Sequence, residues 1–485
     1  MKATHYLAID LGAESGRILL GTLESGKLSL TEIHRFPNQV ITSGESLFWD
    51  LARLEKEIFI GIDKAAAYNL TISSISTDSW AVDYVLLNIE GAPLTQPHAY
   101  RDQRTAQSPS RLFSKLPFSV IYAETGIQFL LFNTIFQFES ELHTSSKTFK
   151  QADHFLTIAD YFNARLSGVE VIEESQASTT QLYQPRKQAW SEKLIGMLGL
   201  SPDFFPRIVP SGTVLGPING LPTRHPALAK TVVIASCSHD TGAAVAAVPA
   251  GKTGPWAYLS SGTWSLLGAE LPSPVMTDEA REACFTNEVG LGGSIRFLKN
   301  LAGLWLVQEC RRAWESEGRA FTYDDLTRLA VESGPARAHL SLDDPRFLSL
   351  VNMPETIAAH CREHGQPVPK TPGQFIRTIL ESLALCYAQT LTKLETLIGQ
   401  KIQTLHIVGG GSRNNLLNQL TADAVGRPVV AGPVEATAIG NILIQALALG
   451  HLTNAEQLRL VVESSFPSLT FVPSKICAIP KDTST

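Results

Sequence analysis

Asp240 stands in Ser236-Cys-Ser-His-Asp240-Thr-Gly242, directly after the apolar run 231–235. Small and polar neighbours keep such a carboxylate open, and at a strand end it can take the proton from a hydroxyl that attacks an electrophile. A loop Asp paired with His239 fits the same pattern. Asp10 lies where an apolar run meets the turn Leu11-Gly12-Ala-Glu-Ser-Gly16. A carboxylate there can hold hydrated Mg²⁺ while turn N–H groups point at phosphate oxygens, or it can simply cap the turn. Gly409, Gly410 and Gly411 follow one apolar run and precede a helical pattern. They let a planar or phosphorylated ligand approach the backbone, or they only reverse the chain. His360-Cys361-Arg-Glu-His364 would place two histidines on one helix face, but it lacks the HExxH spacing. Beside the proline-rich stretch 366–372 it reads as a surface helix end rather than a metal site.

The elements that must position these groups follow from hydropathy patterning. Residues 4–23 read as strand, glycine turn and strand, a hairpin. Rossmann and Walker phosphate loops lead into a helix instead, and 17–23 has no helical period, so both are disfavoured. Residues 256–268 repeat the hairpin plan around Gly262. Two lobes of similar plan are implied, with a boundary in the Ala/Val/Pro/Gly stretch 243–254. The domains are therefore placed at 1–246 and 247–460, with a tail at 461–485. The first lobe alternates strands (72–76, 84–89) with helices (51–67, 152–166), which makes it α/β. Late in the second lobe come a helix over 373–397, a strand over 404–408, the three glycines, a helix over 414–425, a strand over 428–431 and a helix over 436–449. The amphipathic helix around Leu304, Trp305, Val307 and Trp314 reads as core packing.

Composition narrows the function classes. The chain has 485 residues, 44% hydrophobic and 18% charged, which suffices for more than one packed core. Forty Lys+Arg against 46 Asp+Glu give a net charge of −6, and no basic run could neutralise a line of phosphates, so nucleic acid is not an expected partner. No segment has the ~18 uninterrupted apolar residues of a membrane span. Six dispersed cysteines without a CxxC disfavour a disulfide framework and a zinc ribbon. The expected address is cytoplasmic.

Taken together, Asp10-Leu-Gly12 with Ser15-Gly-Arg17, Ser-His239-Asp240-Thr241, and Ser-Ser-Gly262-Thr263-Trp264 resemble the FGGY family of carbohydrate kinases. Further strings carry the resemblance from about residue 4 to about residue 450: His34-Arg-Phe-Pro-Asn38, Ser76-Thr-Asp-Ser-Trp80-Ala-Val-Asp83, His98-Ala-Tyr-Arg-Asp102, Thr125-Gly-Ile-Gln-Phe129, Ala177-Ser-Thr-Thr-Gln181, Leu298-Lys-Asn300 through Trp314, and Gly432-Pro-Val-Glu-Ala-Thr437. The resemblance implies an α/β, two-lobed actin/Hsp70-like ATPase (ribonuclease H-like) architecture, with ATP and sugar in the interlobe cleft.

It further implies that Ala13, Glu14, Ser15, Gly16 and Arg17 line the ATP phosphates and that Asp10 positions Mg²⁺. Thr263, Gln308 and Gly410 would contact the nucleotide, and Ala81, His239, Asp240, Thr241 and Asn300 the sugar. Asp240 would be the general base for a C1 hydroxyl attacking the γ-phosphate. The implied reaction is phosphorylation of a ketose, L-rhamnulose first, with L-fuculose, xylulose or glycerol as alternatives. A sugar sensor or an actin-like assembly protein is the non-enzymatic alternative. Glu14, Ala81 and Leu131 depart from the family pattern, which commonly has a small hydroxyl residue, glycine and proline there. Among the residues near the sugar strings, Trp80 and Tyr100 read as core, whereas Arg101 and Asp102 read as functional because charges are rarely buried without a partner.

Overall fold

The computed structural model describes residues 3–144, 146–219, 225–251, 254–348 and 352–474. They form two compact units. The first gathers the described residues up to Gly251 together with Glu270–Phe297 and Ala436–Ser465; the second comprises the described part of Lys252–Ala269, Leu298–Glu435 and the described residues from Phe466. The units thus interleave, whereas the sequence suggests one boundary at 246/247. Side chains of the helix Ala436–Ala448 explain the difference: Gln445 Nε2 donates to Leu7 O (2.9 Å) and Asn441 Nδ2 to Ser76 O (3.4 Å), which ties the helix to first-unit strands. Similarly, Leu28 N donates to Ser465 Oγ (2.8 Å), holding the helix Ala455–Ser465 in that unit. Of the 461–485 tail, residues from 475 lie outside the described residues.

The first unit is built on a six-stranded sheet in the order Thr213–Pro217, Val232–Ala235, Ile72–Ser79, Thr4–Leu11, Ser15–Glu24, Lys27–Pro37. Its second, third and fourth strands are mutually parallel. Tyr6, Leu7, Ala8, Ile9 and Leu11 are all buried, the near-continuous apolar run of a strand covered on both faces. Because the three strands are parallel, their C-terminal ends emerge on one edge, where open α/β sheets receive ligands. Asp10, Asp78 and the segment 236–240 lie there.

The N-terminal hairpin forms as its sequence predicts, with Asp10 opposite Arg17 and Leu11 opposite Gly16. In the second unit, Trp256–Ser261 pairs antiparallel with Trp264–Leu271 and parallel with Thr404–Val408, which runs parallel to Val429–Ala431. That places the Gly262–Thr263 turn and the Gly409–Gly411 turn at the same ends of neighbouring strands. The long helix runs Pro372–Ile398, capped by Thr371 and by Gly399 in the left-handed conformation.

Two expectations change. Residues 152–166 are not one helix: His154–Thr157 is a strand paired with Tyr84–Leu87, and the helix starts only at Ile158. A cross-strand partner for Phe155, Leu156 and Thr157 outweighs the helical pattern. His360 and Cys361 lie on the helix Met353–Glu363 but are buried rather than at a surface end. His360 stacks on His364 at 4.1 Å, and Ser341 N donates to its Nε2 (3.4 Å), so its ring is part of local packing. Among the described residues, no group of three or more His, Cys, Asp or Glu side chains is arranged to hold a metal ion.

Candidate active site

The turn after Asp10 is held by backbone bonds and one buried asparagine. Gly12 N donates to Ser15 O (3.0 Å), while Asn38 donates from Nδ2 to Gly12 O (2.9 Å) and from its backbone N to Glu14 O (2.9 Å). A Cβ on Gly12 would stand 3.1 Å from Ser15 O, so glycine is what lets the turn close. Arg17 is ion-paired with Asp10. Glu14, whose charge is unexpected beside phosphate, is exposed, so Ala13 to Arg17 form a turn with its acidic side chain in solvent.

Asp10, Asp78 and Asp240 concentrate negative charge at this sheet edge. Asp78 is fully buried, and burial, then the charge of Asp10 and that of Asp240, push its carboxyl well above the usual range, opposed by a hydrogen bond from Asn441 Nδ2 to Oδ2 (2.5 Å). Its Oδ1 is buried without a hydrogen-bond partner. Asp240 is the first residue of the helix Asp240–Ala246. Burial raises its pKa, the neighbouring His239 opposes this and Asp10 adds to it. Its Oδ1 accepts from the Thr241 amide and from Thr241 Oγ1 (3.1 Å), and His239 Nε2 stands 3.4 Å away. Oδ2 receives no hydrogen bond from a described residue, and the side chain keeps 30% exposure. A carboxylate with one oxygen engaged and the other open can accept a proton.

The loop that carries Asp240 is fixed from beneath. Glu173, fully buried, accepts at Oε2 from Ser238 N (3.0 Å) and Ser175 N (3.0 Å), and Ser175 Oγ in turn accepts from His239 N (3.0 Å). Gln176 Nε2 donates to Ser238 O (2.9 Å) and also reaches Ser79 O and Trp80 O (3.3 Å each), tying the His239 loop to the Trp80–Ala81 loop. Ser79 N donates to Ser238 O (2.9 Å). Ala81, His239, Asp240 and Thr241 are therefore brought together. Gly440 closes the assembly, since a Cβ there would meet Ala243 O at 1.8 Å, so only glycine lets its helix approach the one headed by Asp240.

Asp102 has partners within the fold, so its burial does not by itself point to function as the functional reading expects. Its Oδ2 accepts from Leu47 N (2.7 Å) and its Oδ1 from Arg104 N (2.7 Å). The partner that permits its burial is backbone, which residue type alone does not reveal. Arg101 lies over the Tyr100 ring, 5.3 Å from the centroid. Trp80 is core, its ring tilted 45° against Trp49 with centroids 4.3 Å apart.

In the second unit, Gln308 Nε2 donates to Thr263 Oγ1 (3.4 Å), which joins two of the predicted nucleotide residues. Gly409 takes φ +84°, and a Cβ on Gly411 would strike Ser261 Oγ at 2.0 Å. A Cβ on the exposed Gly410 would meet nothing within 4 Å, which leaves open backbone at the turn. Asn300 lies in the strand Ile295–Ala302, in its second-unit part. Asn38, Asp78, Glu173, Gln176 and Asn441 escape a reading by residue type, although the strings around Asn38, Asp78 and Ala177–Gln181 already drew attention to three of these neighbourhoods.

Parallel strands that end in glycine turns recur in both units, with carboxylates at the strand ends of the first, and this is the α/β plan of the sugar kinases. A xylulose kinase from Lactobacillus acidophilus shares it with a TM-score of 0.77 at 15% identity over 97% of this chain and 94% of its own. A Plasmodium falciparum glycerol kinase with ADP shares it with 0.76 at 12% identity over 97% and 94%. The N-terminal domain of the FGGY family of carbohydrate kinases matches residues 5–247 and the C-terminal domain residues 257–449. The chain belongs to the FGGY family of carbohydrate kinases. Its sequence is 43% identical to a rhamnulokinase of Bacteroides thetaiotaomicron over 474 residues, covering 98% of this chain and 97% of that protein. It is 39% identical to a rhamnulokinase of Bacillus subtilis, covering 97% and 96%. No described helix is long and apolar enough to cross a membrane.

Proposed function

We propose that this chain is an ATP-dependent kinase that transfers the γ-phosphoryl group to the C1 hydroxyl of L-rhamnulose, giving L-rhamnulose 1-phosphate and ADP in the cytoplasm. One observation carries the reaction: Asp240 is a half-buried carboxylate of raised basicity, with Oδ1 engaged and Oδ2 open. The choice of sugar follows the relatives, rhamnulokinases at 38–43% identity over nearly the whole chain.

In this reading Ala81, His239, Thr241 and Asn300 hold the sugar, and Asp240 Oδ2 takes the C1 proton as the oxygen attacks phosphorus. Phosphoryl transfer needs little covalent help from a protein, so positioning and charge neutralisation supply most of the rate. Amides of the turn Ala13–Arg17 face the phosphates, and Thr263, Gln308 and Gly410 receive the nucleotide. Residues 1–246 thus serve phosphate and, Asn300 apart, the sugar, and 247–460 the nucleotide. The charges of Asp10 and Asp240 raise the Asp78 carboxyl, whose Oδ1 is unpartnered, and a divalent cation at this sheet edge would relieve that repulsion. Mg²⁺ commonly takes only one or two carboxylates beside water and phosphate, and Asp10 would hold it. When bound it would neutralise charge on the triphosphate.

ADP release with Mg-ATP over a panel of ketoses, aldoses and polyols tests the reading. L-rhamnulose is expected to show the highest kcat/KM by at least about tenfold, ~1.4 kcal/mol, the worth of one well-placed hydrogen bond. Preference for xylulose or glycerol would overturn the sugar assignment.

A further inference from the structure

Behind Asp240 lies a buried charge pair that the proposed chemistry does not use. Glu288, on the strand Thr286–Val289, and Arg296, on the strand Ile295–Ala302, are joined by a tight reversal in which Gly290 N donates to Ser294 O (2.7 Å). Arg296 is wholly buried and Glu288 nearly so, and they form an ion pair at 3.0 Å. The same Arg296 Nη2 lies 3.0 Å from His239 Nδ1 in hydrogen-bond geometry. Glu288 Oε2 lies 3.4 Å from that nitrogen, and on the far side of the ring His239 Nε2 lies 3.4 Å from Asp240 Oδ1. The four side chains therefore form a row that ends on the carboxylate proposed as base.

A guanidinium has donors only and keeps its charge in proteins. The nitrogen that accepts from it carries no proton, and a neutral imidazole then holds its hydrogen on the other nitrogen. We propose that Arg296, anchored by Glu288, fixes His239 as the Nε2–H tautomer, so that the ring presents a donor to Asp240 and the sugar oxygens beside it. Both are positioning residues, acting through His239. Donation from Nε2 steadies Asp240 Oδ1 and leaves Oδ2 for the proton; the opposite tautomer would turn a bare Nε2 lone pair toward a carboxylate. Glu288 supplies the competing state, because without the guanidinium its Oε2 is the acceptor nearest a proton on Nδ1. Burial alone would raise the Glu288 pKa, yet Arg296 and His239 hold it below the usual range, so the carboxylate is charged.

The inference rests on the proposed role of Asp240 only for its kinetic arm, since the tautomer is read without turnover. Two-bond ¹H–¹⁵N correlation on the intact chain, with His239 assigned through His239→Gln, should show Nε2–H in the wild type. Arg296→Met should shift the ring to Nδ1–H. It should also lower kcat on the sugar about 10- to 100-fold, the loss seen when a partner that orients a metal-ligating histidine is removed, with KM for ATP unchanged. Arg296→Lys, which keeps a charged donor, should restore part of both. Breaking a buried pair can unfold a protein, whereas replacing both partners by apolar groups is often tolerated, so Glu288→Met/Arg296→Met serves as the second variant. It should lose the tautomer preference and show the same kcat defect. An Nδ1–H ring in the wild type, a tautomer unchanged in both variants, or a switched tautomer with unaltered kcat would each overturn the proposal.

Discussion

Asp83, wholly buried, and Asp240, half-buried, are carboxylates of the same unit, both with pKa values raised by desolvation, yet their surroundings differ in kind. Asp83 Oδ2 accepts from Trp49 Nε1 (2.6 Å), Trp80 Nε1 (2.9 Å) and Tyr100 N (3.0 Å), and its Oδ1 from Gln137 Nε2 (3.1 Å). Both oxygens face fixed donors. Asp240 has donors on one oxygen only. Burial and a raised pKa thus do not distinguish a base from a brace; an oxygen left open does.

The largest test of this contrast is Asp240→Asn. It keeps shape but cannot take the proton, so kcat should fall about 10²- to 10⁴-fold with sugar binding and melting temperature nearly kept. Steady-state kinetics, calorimetry and thermal unfolding on one preparation measure all three. A near-normal kcat would place the base elsewhere. Because the carboxyl is raised, the acid limb of the wild-type kcat profile should fall above the ordinary carboxylate range.

Asp83→Asn should invert the pattern. An amide cannot accept from four donors, and leaving one unpaired costs about 1–3 kcal/mol of stability, while kcat per folded molecule stays put. Burial pushes the Asp83 carboxyl up to about 6. The folded chain then holds a proton that the unfolded chain releases near its ordinary value of about 3.9. The stabilising contribution is therefore full below that value and lost as pH rises through about 6, a slope that denaturant unfolding should find missing in the variant. Loss of activity without loss of stability would make Asp83 more than a brace.

Gly410→Ala carries the open-against-closed distinction to the second unit. The added methyl meets no protein atom within 4 Å, so melting should not move, and only a ligand lying against this backbone can register it. KM for ATP should rise about fivefold, ~1 kcal/mol, the lower end of an overpacking cost. An unchanged KM would remove the turn from the nucleotide site.

Cys237→Ser should do least. The thiol neighbours the segment proposed to carry the base, but burial pushes its pKa far up, then Glu173 adds to this, and Ser211 Oγ already contacts it at 3.3 Å. Nearly all activity should remain. A covalent enzyme species trapped at Cys237 would overturn direct transfer.

How much of this was legible beforehand follows from the range of the interactions concerned. Hairpins, the strand over 404–408 with its three glycines, and the helix start at Asn415 behind its Asn414 cap are written in local period and turn chemistry. Asp10, Asp240 and Gly410 could be named because a residue type beside a turn already limits its uses. The division of labour between Asp83, Asp102 and Asp240 could not. Asp83 and Asp102 are spent on donors distant in sequence, such as Gln137 and Leu47, whereas no such donor among the described residues reaches Asp240 Oδ2. The interleaved units have the same origin, since Asn441 and Gln445 choose strands more than 360 residues earlier. Sequence alone determined which chemical groups stand at the ends of which strands, because apolar period and glycine placement act within a few residues. Only the tertiary structure decided which of those groups are spent and which remain open, because hydrogen-bond satisfaction in a buried site is settled by whatever the fold brings within 3 Å.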